Sequence, residues 1–170
     1  MEDKYDISKL KKKKKVNSRA KGSTFERQIA GMLNKRFDTK EFSRTPGSGA
    51  FATTHTLPKH LKIYGDLITP QNFRYCIECK KGYNKENLYS LFNYRSDFWK
   101  FIVQCEKDSS FCGKEPMVIF KQDRQKTLVI VPSYITYSIE KYIEIHKGEK
   151  KYRIYYLDDL LKEEDYHWFD

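Results

Sequence analysis

Several things are scarce in this 170-residue chain, and each scarcity excludes a class of protein. No run of 18 apolar residues occurs, so no segment can cross a membrane as a helix. The first 22 residues hold no apolar signal segment, so the chain is expected in the cytoplasm rather than outside the cell. The four cysteines, Cys76, Cys79, Cys105 and Cys112, do not have the spacing of a zinc site. Cys76-x-x-Cys79 resembles half of one, but it lies in a strand-like segment. Residues three apart on a strand point to opposite faces. All four are expected as buried thiols. Acidic residues are also in deficit, 23 against 33 Lys and Arg, which leaves a formal charge of +10. With 39% hydrophobic residues there is enough apolar material for one core, and the length fits one domain with a tail.

The charge is unevenly placed. Residues 1–22 carry nine basic and three acidic residues, while residues 158–170 carry one lysine and six acids. The stretch between remains strongly basic, and such a field favours a polyanion, with nucleic acid the leading partner. The run Lys11, Lys12, Lys13, Lys14 and Lys15 belongs to a flexible basic tail, and its expected role is to bind phosphates without reading sequence.

From residue 23 to 170 the pattern is α/β. Ser23, with Glu26 three residues on, predicts the capping box of a first helix, and Phe25, Ile29, Leu33 and Phe37 form its buried stripe. Strands are expected over 40–44, 64–69 and 74–80, with a turn at Pro70. A long helix is expected over 88–107, then strands over 117–121, 127–131 and 152–157 and a short acidic helix over 158–164. Residues 133–146 fit both helix and strand. The proline-, glycine- and hydroxyl-rich residues 45–60 form a long loop, and loops of that length are usually functional or disordered. This order of elements calls for a mixed sheet flanked by helices.

One constellation carries chemistry. Gly65-Asp66-Leu67-Ile68 opens one strand, and Ile77-Glu78-Cys79-Lys80 ends the next. Glu78 and Lys80 share a strand face, and a hairpin through residues 70–73 would bring Asp66 to them. Two carboxylates and an amine at one point suit metal-assisted hydrolysis. The hard oxygens favour Mg²⁺, with Mn²⁺ as a substitute, and the amine can orient water or offset charge. The acid-x-Lys triplet occurs four times in the chain, so a strand-edge ion pair is the plain alternative.

The surroundings of the triplet add weight. The segments Lys21-Gly22-Ser23-x-Phe25-Glu26-Arg27-x-Ile29-Ala30, Arg44-Thr45-Pro46-Gly47-Ser48-Gly49, Gly65-Asp66 and Ile77-Glu78-Cys79-Lys80 follow in that order. Together they resemble the PD-(D/E)xK nuclease superfamily, and within it the archaeal and phage Holliday junction resolvases. The resemblance covers about residues 21–83. It implies a restriction-endonuclease-like core, Mg²⁺-dependent hydrolysis of DNA at four-way junctions, and a homodimer with two sites on opposite strands.

By motif, Glu26 matches the first-helix acid near the metal and is expected among its ligands with Asp66, Glu78 and the Cys79 main-chain carbonyl, and Lys80 matches the catalytic lysine. Ser48 matches a loop serine needed for cleavage, and Arg27 and Arg44 match basic positions near DNA phosphates. Simpler roles stand beside these: capping for Glu26, a turn for Ser48 and a surface charge for Arg44. Rival functions are another nuclease with the same core, of restriction or repair type, and a non-catalytic DNA-binding module. The aromatic stretch from Tyr83 through Trp99 and the C-terminal segment with Trp168 are both candidate pairing surfaces.

Overall fold

The structure is a computed structural model that describes residues 18–46 and 64–170. Its centre is a five-stranded mixed sheet: β3 (Tyr75–Lys81), β4 (Glu115–Lys121), β5 (Leu128–Pro132), β6 (Ile143–Lys147) and β7 (Lys150–Tyr156), in the spatial order β3-β4-β5-β7-β6. The β3–β4 pair is parallel, with Glu78 opposite Val118 and Lys80 opposite Phe120, and the other pairs are antiparallel. Parallel neighbours need a crossover, and α2 (Asp97–Cys112) supplies it. The sheet lies between α1 (Ser18–Arg36) and α2, as expected of a restriction-endonuclease-like core.

The period-two alternation of the strands sorts the core into two layers. Tyr75, Ile77, Cys79, Met117, Ile119, Val129 and Val131 meet Phe25, Ile29 and Leu33 of α1. Val118, Phe120, Ile130 and Ile154 meet Phe98, Trp99, Phe101 and Ile102 of α2. Each fully buried side chain of this size contributes roughly 1.5–3 kcal/mol. The C-terminal segment seals the α1 side. Trp168 is completely buried, its carbonyl accepts the Arg74 N–H at 2.8 Å, and the His167 carbonyl accepts the Tyr75 hydroxyl at 2.8 Å. Trp168 and Trp99 are therefore core residues.

Four points of the sequence reading are decided by the structure, three of them as corrections and the third as the resolution of an open one. First, α1 begins at Ser18, so Ser23 lies inside the helix and caps nothing. Its hydroxyl donates to the Ala20 carbonyl, as does that of Thr24, at 3.2 and 2.8 Å. Arg19, Ala20 and Lys21 are strong helix formers and carry the helix past the cost of Gly22. Second, the long helix is broken. A 3-10 turn (Leu88–Phe92) precedes α2, because Asn87 caps it and Asn93 leaves the helical region. Asn and Ser side chains that bond nearby backbone compete with helix. Third, residues 143–147 form strand β6. Fourth, Cys112 is exposed, while the other three thiols are buried.

The expected hairpin also takes another form. Strand β2 (Leu67–Ile68) pairs antiparallel with β1 (Ser43–Arg44), and this two-stranded ribbon abuts the outer edge of β3. Among the described residues no helix is long and apolar enough to cross a membrane. A short helix, α3 (Leu157–Leu160), follows β7.

Candidate active site

The outer edge of β3 is where the ribbon and the main sheet meet. The Asp66 N–H donates to the Ile77 carbonyl at 2.8 Å, and the Cys79 N–H donates to Asp66 Oδ2 at 2.8 Å. These two bonds bring Asp66 to the strand that holds Glu78 and Lys80. Gly65 makes the approach possible. Its φ is +75°, and a Cβ there would stand 2.8 Å from the Ile77 carbonyl oxygen. Neither the conformation nor the space suits another residue. Gly65→Ala is expected to lower the melting temperature by at least about 2–4 °C and to reduce activity, measured by thermal unfolding and by a cleavage assay. Gly31→Ala, with nothing within 4 Å of its Cβ in the exposed part of α1, should leave activity unchanged and stabilise slightly.

Glu78 is 2% exposed and forms an ion pair with Lys80, whose ammonium also donates to Gln104 Oε1 of α2 at 3.3 Å and lies 5.5 Å from the Phe101 ring centre. Burial pushes the Asp66 carboxyl up to about 6; the Cys79 N–H and Lys80 oppose the shift, and Glu26 adds to it. Burial and the neighbouring Asp66 charge push Glu78 up to about 7, against the pull of Lys80. Burial works to discharge Lys80, but the Glu78 carboxylate outweighs it and holds the ammonium above its ordinary value. The two acids thus repel each other, and this repulsion is what a divalent cation would relieve.

Glu26 and Arg44 belong to the same cluster. The Arg44 Nε donates to Glu26 Oε2 at 2.5 Å, so this acid is turned to a guanidinium. Among the described residues no three His, Cys, Asp or Glu side chains form a ready-made metal cage. The donors on offer are the Asp66 and Glu78 carboxylates with backbone oxygen. In an extended strand the N–H and C=O of one residue face the same edge. Because the Cys79 N–H reaches Asp66, its carbonyl faces the open edge too. This hard, all-oxygen set fits Mg²⁺ or Mn²⁺.

A cleft of about 580 Å³ opens over these groups, lined by Glu26, Asp66, Glu78, Lys80, Lys81 and Gln104 among others. Two contributors received no role in the sequence reading. Gln104 follows an apolar run in α2 with no motif to mark it. Lys21, also in the lining, pairs with Asp123 at 2.6 Å, and Asp123 in turn accepts from Asn84 at 2.9 Å. Arg27 is exposed on α1 and does not line the cleft. Ser48 and Lys11 through Lys15 lie outside the described residues.

A family model described as "Phage putative PDDEXK endonuclease" matches residues 17–168. The chain is also 36% identical over 124 residues to Protein D14 of Escherichia phage T5, a match spanning 69% of this chain and 72% of that protein. No solved structure matches.

Proposed function

The chain belongs to the phage PD-(D/E)xK endonuclease family, and from that membership we propose that it is a Mg²⁺-dependent endonuclease selective for branched DNA, a resolvase of four-way junctions. The observation that carries the reading is the convergence of Asp66, Glu78 and Lys80 at one open strand edge, inside a cleft bordered by Lys21 and Lys81. Nucleases of this superfamily act on DNA and generally use divalent metals.

Asp66 and Glu78, with the Cys79 carbonyl, would hold the ion. When bound, Mg²⁺ supplies acidity to water and charge stabilisation to the phosphate oxygens. Lys80 keeps its proton, held by Glu78 and Gln104, and presents positive charge where the attacking water and phosphate meet. Arg44, steadied by Glu26, adds a second positive group beside Asp66. Ser48 and the lysines at 11–15 are proposed to contact the DNA backbone, as is Arg27 from the exposed face of α1. A phage relative fits a place of action in the infected bacterial cell.

A four-way junction has two symmetry-related strands to cut, and one chain offers one acid–lysine site. A two-fold homodimer would match that symmetry. The test is cleavage of a labelled immobile junction with Mg²⁺, beside linear and nicked duplexes, with sedimentation of the protein alone and on the junction. Paired cuts at the junction by a dimer are expected. Equal cutting of linear duplex would mark a restriction- or repair-type nuclease instead. A monomer on the junction would remove paired incision.

A further inference from the structure

The connection that leaves β3 carries two large aromatics that the core does not use. Tyr89 is 81% exposed and Phe92 82%, both on the 3-10 turn (Leu88–Phe92). In such a turn residues three apart eclipse each other, so these two rings stand on one side of it. Leu91, between them, packs against the α2-side core.

The turn is tightly held. Asn87 Oδ1 accepts the Tyr89 N–H at 2.9 Å and Ser90 Oγ accepts the Asn87 N–H at 3.1 Å. The Ser96 hydroxyl donates to the Ser90 carbonyl at 3.1 Å, and the Trp99 indole N–H to the Leu91 carbonyl at 3.0 Å. Gln122 of the β4–β5 turn braces the preceding residues through the Tyr83 and Glu86 carbonyls at 3.1 and 2.5 Å. Two exposed rings carried by a braced turn are a surface prepared for contact, since exposed apolar groups gathered in one place mark interaction sites.

Charge narrows the partner. From residue 81 to 100 four lysines and arginines face two acids. Lys85 and Arg95 are exposed on either side of the turn, and Asp97 is already paired with Lys100 at 2.8 Å. Aromatic rings set among cations fit unpaired nucleotides, whose bases stack while their phosphates meet the basic groups. The same connection begins in the cleft, where Lys81 and Tyr83 belong to the lining. We propose that Tyr89 and Phe92 form a platform on which unpaired bases of DNA bound at the acid–lysine site stack. The proposal rests on the nuclease reading above and names the feature of the substrate that this surface selects.

The test compares the full chain with a Tyr89→Ala/Phe92→Ala double variant in EDTA, so that binding is read without cleavage. The probes are a single strand carrying 2-aminopurine and a blunt duplex of the same sequence. Each lost ring should weaken single-strand binding by about tenfold. The quenching of 2-aminopurine on binding should also be lost, while duplex affinity stays within about twofold. Tyr89→Trp should keep the quenching, which separates a stacking role from a folding defect. Unchanged single-strand affinity, or an equal loss on both probes, overturns the platform. So does a double variant that loses self-association in sedimentation, which would make the turn a contact between copies. A wild-type chain that cuts no DNA with Mg²⁺ would defeat the nuclease reading by a separate measurement.

Discussion

Asp66→Asn and Glu78→Gln are each expected to reduce Mg²⁺-dependent DNA cleavage by on the order of a thousandfold or more, with DNA binding retained. Both substitutions keep shape and remove one negative charge. An amide oxygen at position 66 can still accept the Cys79 N–H, and one at position 78 can still accept from Lys80, so the bonds that hold the edge survive. What disappears is half of the charge that would hold the cation. The same loss predicts an opposite effect on stability. The folded chain keeps two repelling, buried carboxylates, so Asp66→Asn, which leaves the Glu78–Lys80 pair in place, should melt at a higher temperature than the parent in EDTA at pH 8. Cleavage assays and thermal unfolding on the same samples check both directions. A variant that still cuts within tenfold of the parent would remove that acid from the chemistry.

The second expectation couples protons to the metal. Asp66 and Glu78 are raised to about 6 and about 7, whereas carboxyls in an unfolded chain titrate near 4. The folded state therefore binds more protons than the unfolded state between about pH 4 and pH 7. Stability contributed by these groups is present below about pH 4 and lost as pH rises through 6 and 7. The charged groups that face them are Glu26, Arg44, Lys80 and Asp108, so the repulsion is local to this cleft. A cation competes with those protons. Added Mg²⁺ should raise the melting temperature clearly at pH 8 and much less at pH 5.5, by the ordinary linkage of ligand to folding. In Asp66→Asn or Glu78→Gln the Mg²⁺ increment should shrink at pH 8. An increment that does not depend on pH would place the ion elsewhere.

Much of this arrangement was legible from the order of residues, for reasons that differ from place to place. The strands β4 and β5 announce themselves as short apolar runs that the sheet buries on both faces, and β3 and β7 as runs in which Tyr and Ile recur among charged residues. The acid-x-Lys strand end was visible because period two puts Glu78 and Lys80 on one face. The position of Asp66 was legible only as a motif. Its actual support is a ribbon with β1 and a glycine that lets backbone meet backbone, and no local pattern encodes such a pairing.

Glu26 misled in an instructive way. Ser23 and Glu26 have the spacing of a capping box, but good helix formers upstream extend α1 and leave the acid to meet Arg44. The break between residues 93 and 97 was hidden because Leu91, Phe98 and Phe101 keep a helical rhythm across it, while Asn87, Asn93 and Ser96 redirect the backbone. Gln104 gave no signal at all, since its role comes only from the packing of α2 beside β3.

The cleft draws its lining from α1, Asp66, β3, the residues just after β3 and Gln104 of α2; none of it comes from β4, β5, β6 or β7. Four of the five strands in the sheet therefore serve as ballast for the reaction proposed at its rim. Inheritance acts differently on the two parts. Substitution in the ballast is expected to change how long the molecule survives heat, and substitution along the rim to change what it cuts. A lineage under pressure to meet new DNA can rewrite the rim while the interior that keeps it folded stays as it was.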